Sequence, residues 1–133
     1  MTRILLIDDD PLLRVTLAAA LSAAGHVVVE VDNGIEGVAE ARRHRPDLVV
    51  VDIIMPEQDG IETLIRLRAS DPDLPVLAIG GGRARAADFL SLATGFGATA
   101  TLAKPCAPEM LVEAVRRCLA AAQPAGPVQA ETV

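Results

Sequence analysis

The feature that most constrains this chain is a fivefold alternation. A short apolar run gives way to a longer segment of helical periodicity, and the pair recurs five times. The runs lie at residues 3–7, 27–31, 48–51, 75–79 and 99–103, and the helical segments at 13–24, 35–44, 61–69, 83–93 and 108–122. Turn chemistry separates them: Asp10-Pro11, Gly25, Asp32-Asn33-Gly34, Pro46-Asp47 and Asp71-Pro72-Asp73. Leu48 to Val51 has no polar interruption, which suits a strand covered on both faces, as in a parallel sheet. Five such units predict an open α/β sheet with helices on both faces and right-handed crossovers. Ile35, Val38, Ala39 and Arg42 mark successive turns of the second helix, and Ile61, Leu64, Ile65 and Leu67 form the stripe of the third. The 133 residues make one domain, 1–122, with residues 123–133, rich in Pro, Gly, Ala and Gln, read as a disordered tail.

Composition narrows the function. Apolar residues make up 51%, yet the only aromatics are Phe89 and Phe96, so the core must be aliphatic. A net charge of −6 argues against nucleic acid as a partner, because phosphates need a basic face. No apolar run approaches the roughly 20 residues that span a bilayer. The first residues turn acidic at Asp8, too early for a signal peptide, and a cytoplasmic location is expected. Cys106 and Cys118 form neither a disulfide framework nor a zinc spacing, and Cys118 shares a helical stripe with Leu111, Val115 and Leu119, which points to packing.

In open parallel sheets ligands bind beyond the carboxyl ends of the strands. Asp8-Asp9-Asp10 follows the first strand here, Asp52 the third, Gly80-Gly81-Gly82 the fourth, and Lys104-Pro105 the fifth. Lys104 is the only lysine beside eleven arginines. Carboxylates gathered in one place stay ionised only beside a cation, and a hard divalent ion such as Mg²⁺ answers that need. Carboxylates, a metal and an ammonium together suit phosphoryl transfer onto an aspartate. Taken alone, Asp8-Asp9-Asp10 is equally an acidic helix start, and Lys104 alone a surface lysine. Their placement at matching strand ends favours the site.

At these residues the chain resembles the receiver domain of two-component response regulators. The matching pieces are Leu5-Leu6-Ile7-Asp8-Asp9-Asp10-Pro11, Val50-Val51-Asp52-Ile53-Ile54-Met55-Pro56, Asp59-Gly60, Gly97-Ala98 and Lys104-Pro105, spread over residues 3–122. The resemblance implies a flavodoxin-like doubly wound sheet, strand order 2-1-3-4-5. It implies Asp52 as phosphoacceptor and Asp8 and Asp9 as the acidic pair holding Mg²⁺, Asp9 the more direct ligand. Asp52 and the backbone carbonyl of Ile54 would be further ligands, Lys104 would contact the phosphoryl group, and the Lys104–Pro105 peptide would be cis. The phosphoryl donor would be a histidine kinase or histidine phosphotransfer protein. A stand-alone module would act by docking to a downstream protein through its fourth helix, fifth strand and fifth helix, the same face serving a weak homodimer. Arg83, Arg85, Arg116 and Arg117 would lend that face positive charge, or would be ordinary solvated residues.

Two departures concern the switch. Receivers usually carry Ser or Thr at the end of the fourth strand, where this chain has Gly80, and Tyr or Phe three residues before the lysine, where it has Thr101. The backbone amide of Gly81 would substitute as a donor to the phosphoryl group. Cys106 stands where Phe often follows Lys-Pro. The phosphorylation chemistry therefore reads as intact and the usual relay as absent. The alternative is a pseudo-receiver that works by protein contact alone. A haloacid-dehalogenase-type phosphatase fits poorly, since Leu12 and not Thr or Val stands two residues after Asp10 and 133 residues leave no room for the usual cap domain. The glycine run lacks the ending of a P-loop, and His26 and His44 read as loop or helix-end residues.

Overall fold

The computed structural model describes residues 2–53, 60–80 and 86–122. Ile54, Gly81, Gly82, Arg83 and Arg85 lie outside the described residues, as does the expected tail at 123–133. Five strands and five helices alternate: β1 (Arg3–Ile7), α1 (Pro11–Ala23), β2 (Val27–Val31), α2 (Gly34–His44), β3 (Leu48–Asp52), α3 (Gly60–Ser70), β4 (Val76–Gly80), α4 (Ala86–Gly95), β5 (Ala100–Ala103) and α5 (Pro108–Ala122). All pairings are parallel and the order is β2-β1-β3-β4-β5, as the resemblance implies.

The polar punctuation acts as caps. Asp10 is the N-cap of α1, its Oδ1 accepting from the amides of Leu12 and Leu13 at 3.1 and 3.2 Å, and Pro11 takes the first helical position. The helix therefore starts two residues before the apolar pattern suggests. Gly25 follows its end at φ +99, a left-handed conformation that glycine adopts without strain. Asn33 caps α2 by accepting from the Glu36 amide at 2.8 Å.

Alternation along the strands divides the core in two. Leu5, Ile7, Val49, Val51, Val76 and Ala78 face α2, α3 and α4, while Ile4, Leu6, Leu48, Val50, Leu77 and Ile79 face α1 and α5. Cys118 is buried in the second layer with Leu111 and Val115, as its stripe predicts. Burying each of these aliphatic side chains stabilises the fold by about 1.5–3 kcal/mol. Two expected stripe residues are corrected. Ile35 is exposed, because α2 turns Gly34, Gly37 and Val38 inward and a Cβ at Gly37 would strike the Ile7 side chain. Ile65 is also largely exposed, since α3 buries Ile61, Thr63, Leu64 and Leu67 instead.

Arg68 ties the sheet's amino-terminal rim together. Its Nη1 donates to the carbonyls of Pro72 and Leu74 at 2.8 and 2.7 Å, and its Nη2 to Gly97 at 2.6 Å. The turn into β5 is thereby held against the end of α3. None of the described helices is long and apolar enough to cross a membrane.

Candidate functional site

Register brings the distant carboxylates together. β1 and β3 are neighbours with Ile7 opposite Val51, so the next residues, Asp8 just past β1 and Asp52 at the last position of β3, come to the same rim. β5 pairs Ala103 with Gly80, which delivers Lys104 to the same rim. One carboxylate oxygen each from Asp8, Asp9 and Asp52 lies within 4.8 Å of the others. The Lys104 Nζ donates to Asp52 Oδ2 at 2.8 Å and stands 3.5 Å from Asp8 Oδ2. The peptide before Pro105 is cis.

Asp8 is the most constrained of these residues. It is wholly buried. Its amide donates to the Val31 carbonyl at 3.1 Å, and its Oδ1 accepts from the Asp10 amide at 3.0 Å. Among the described residues its Oδ2 accepts no hydrogen bond, although the Lys104 ammonium is near enough to attract it. Burial pushes the Asp8 carboxyl above its ordinary range, and the neighbouring Asp52 charge adds to this; the Asp10 amide and Lys104 oppose it without prevailing. Burial alone would depress Lys104, but its hydrogen bond to Asp52 and the two negative charges win, and its pKa is raised. Burial also raises the Cys106 thiol against the pull of Lys104.

A buried carboxylate oxygen without a donor, grouped with two further carboxylates, is a hard-oxygen donor set suited to a divalent cation. The residues present therefore fit Mg²⁺. Asp10, by contrast, is spent on capping α1.

Gly80 closes β4 with its carbonyl accepting from the Lys104 amide and has no side chain to offer. Thr101 sits on β5, partly buried, opposite Ala78. Arg116 and Arg117 both bind Glu113, whose carboxyl they hold down at about 2, so half of the positive charge expected of that pair is answered within α5. His44 pairs with Glu40 at the end of α2, far from the acidic cluster in the chain.

Sequence reading passed over Arg14. Its Nη1 donates to the Asp8 carbonyl at 2.9 Å and its Nε to Glu30 at 3.3 Å. The available signal was a lone arginine among Leu12, Leu13, Val15 and Leu17 on an apolar helix one turn from the acids. Gly60 was noticed only as part of a motif. A Cβ there would lie 2.2 Å from the Ile53 Cα and 2.4 Å from the Asp52 carbonyl oxygen, so α3 approaches the end of β3 as only glycine permits.

A five-stranded 2-1-3-4-5 sheet with acids and a lysine on its carboxyl rim defines the CheY-like class of α/β proteins. The chain belongs to the response regulator receiver domain family, whose profile matches residues 4–116. It is 36% identical over 125 residues to the response regulator MprA of Mycobacterium leprae, covering 92% of this chain and 53% of that protein. It is 38% identical over 76 residues to the probable transcriptional regulatory protein TcrX of Mycobacterium tuberculosis, covering 57% of this chain and 32% of that one. Among solved structures, the CheY-like receiver domain protein of Methanospirillum hungatei JF-1 superposes with a TM-score of 0.84 at 25% identity, over 95% of this chain and 99% of that one. NtrX from Brucella abortus superposes with a TM-score of 0.85 at 26% identity, over 99% of this chain and 29% of its own. The chain spans about half the length of MprA.

Proposed function

We propose that this receiver domain accepts a phosphoryl group on Asp52 in a two-component relay, in the cytoplasm, from a histidine kinase or histidine phosphotransfer protein. The observation that carries the reading is the 2.8 Å bond from Lys104 Nζ to Asp52 Oδ2 beside two further carboxylates. An Asp52 oxygen attacks the phosphorus of a phosphohistidine. The O–P bond forms as the N–P bond breaks, and the imidazole departs with the proton on its other ring nitrogen. Asp8, Asp9 and Asp52, with the Ile54 carbonyl, would hold Mg²⁺. The chemistry supplied by that ion is neutralisation of charge on the phosphoryl oxygens. Lys104 takes up a phosphoryl oxygen from its place beside Asp52, and the Gly81 amide donates to another. The acceptor lies at the rim with little solvent exposure, which strengthens each of these charge interactions.

Incubation with acetyl phosphate and MgCl₂ tests the reading. One added phosphoryl group is expected, located on Asp52 by peptide mass, and lost in Asp52→Asn or on adding EDTA. A transient label on Asp8 would point instead to a phosphatase.

A second reading, a module working by protein contact without switching, is favoured by Gly80 and Thr101 in place of the hydroxyl and the aromatic. It predicts no label even with a cognate kinase. In either case, docking through α4, β5 and α5 is supported by the half-exposed Leu92, Phe96 and Met110; the same face would serve a weak homodimer.

A further inference from the structure

The polar atoms of Asp8 divide unequally. Its amide is held by Val31 of β2, its Oδ1 by the Asp10 amide, and its carbonyl by the guanidinium of Arg14. Among the described residues Oδ2 alone has no donor, and it is the atom that faces Lys104. The carbonyl sits where β1 has left the sheet and the chain turns toward α1. Among the described residues the donor to this carbonyl is a side chain reaching back from α1, the Arg14 guanidinium at 2.9 Å. Arg14 is well placed for that. Its own amide bonds the Asp10 carbonyl at 2.9 Å, its side chain is mostly buried, and its Nε is braced by Glu30 on β2. One planar fork thus joins α1, the end of β1 and the edge strand β2.

We infer that Arg14 is a positioning residue for the magnesium site: by clamping the Asp8 carbonyl to Glu30 it sets the turn that aims Asp8 Oδ2 and Asp9 at the ion. This rests on the proposed Mg²⁺-dependent function. Glu30 answers the arginine's charge, so the clamp can stand behind an acidic site without serving as its counter-ion. Groups that orient metal ligands from behind commonly change affinity by an order of magnitude when removed.

The clamp and simple charge predict opposite signs. Removing a cation near a cation site strengthens binding by Coulomb's law, whereas removing the clamp weakens it. The experiment titrates the 133-residue chain with MgCl₂ and follows the backbone amide shifts of residues 8–10 by NMR. Arg14→Met is expected to bind roughly ten-fold more weakly than wild type. Arg14→Lys keeps the charge but lacks the fork, and should also bind more weakly. Glu30→Gln should fall between Arg14→Met and wild type. Arg66→Met, which removes an exposed arginine paired to Glu62 on α3, should match wild type or bind slightly more tightly. Unchanged or tighter binding in Arg14→Met, or full retention in Arg14→Lys, overturns the inference while leaving the metal site in place. Absence of any Mg²⁺-dependent shift in wild type overturns the underlying site reading and the clamp with it. If Arg14→Met does not fold, the Lys and Glu30 variants decide the question alone.

Discussion

Asp8 shows how one side chain carries both a local cost and a use. A buried acceptor without a donor costs about 1–3 kcal/mol, and the raised carboxyl pKa of Asp8 expresses the same tension. The sign follows from linkage. A carboxyl that is harder to ionise folded than unfolded opposes folding above its folded pKa, and the penalty disappears below about 3.8, its ordinary value, where both states are protonated. Asp8→Asn should therefore raise the metal-free melting temperature at pH 7, by the equivalent of about 1 kcal/mol. The gain should shrink as pH falls toward 3.8, and Mg²⁺ binding should be lost. Thermal melts in EDTA across that range check it, and a lower melting temperature at neutral pH would contradict the reading. Lys104 works the other way. Its raised pKa marks stability present below the ordinary lysine value and lost as pH climbs through the folded one.

At the scale of elements, the site depends on how closely α3 meets the end of β3. Gly60 opens α3 directly over the Asp52 carbonyl and Ile53. Both obstructions to a Cβ are backbone, which cannot swing aside as a side chain can. Gly60→Ala should destabilise the domain by about 1–3 kcal/mol and slow acetyl phosphate labelling of Asp52, measured by urea denaturation and by mass. Gly37 makes a useful control. There the obstructing atoms belong to the Ile7 side chain and not to the backbone beside Asp52, so Gly37→Ala should leave labelling closer to wild type. The stripe residues make a related point. Ile35 and Ile65 follow the helical period but sit at its margins, and close packing of glycine against Ile7 turns α2 away from the orientation its apolar residues suggest.

For the whole molecule, the question is what phosphorylation moves. β4 and β5 pair in parallel from Leu77–Ala100 to Gly80–Ala103, and Arg68 bonds the turn into β5 at the rim opposite the site. Gly80 has no hydroxyl at the end of β4, and Thr101 has no aromatic ring on β5. Amide exchange with and without a beryllofluoride phosphoryl mimic should show protection confined to the immediate surroundings of Asp52. Cooperative protection across the whole of residues 80–103 would show a full switch operating without those side chains.

The order of elements, the parallel sheet, the aliphatic core and the identity of the acids and lysine were all legible in the chain, because strand and helix periods are local and strand ends are marked by polar residues. The punctuation at Asp10-Pro11 and Asp32-Asn33-Gly34 was legible as breaks between elements, but that Asp10 and Asn33 cap the helices emerged only from the structure. The sequence did not reveal which oxygen of Asp8 stands unbonded among the described residues, that Arg14 holds its carbonyl, or that Gly60 lies against the end of β3. Those facts arise from contacts between segments that register brings together, and distance along a chain carries no information about register until the sheet has formed.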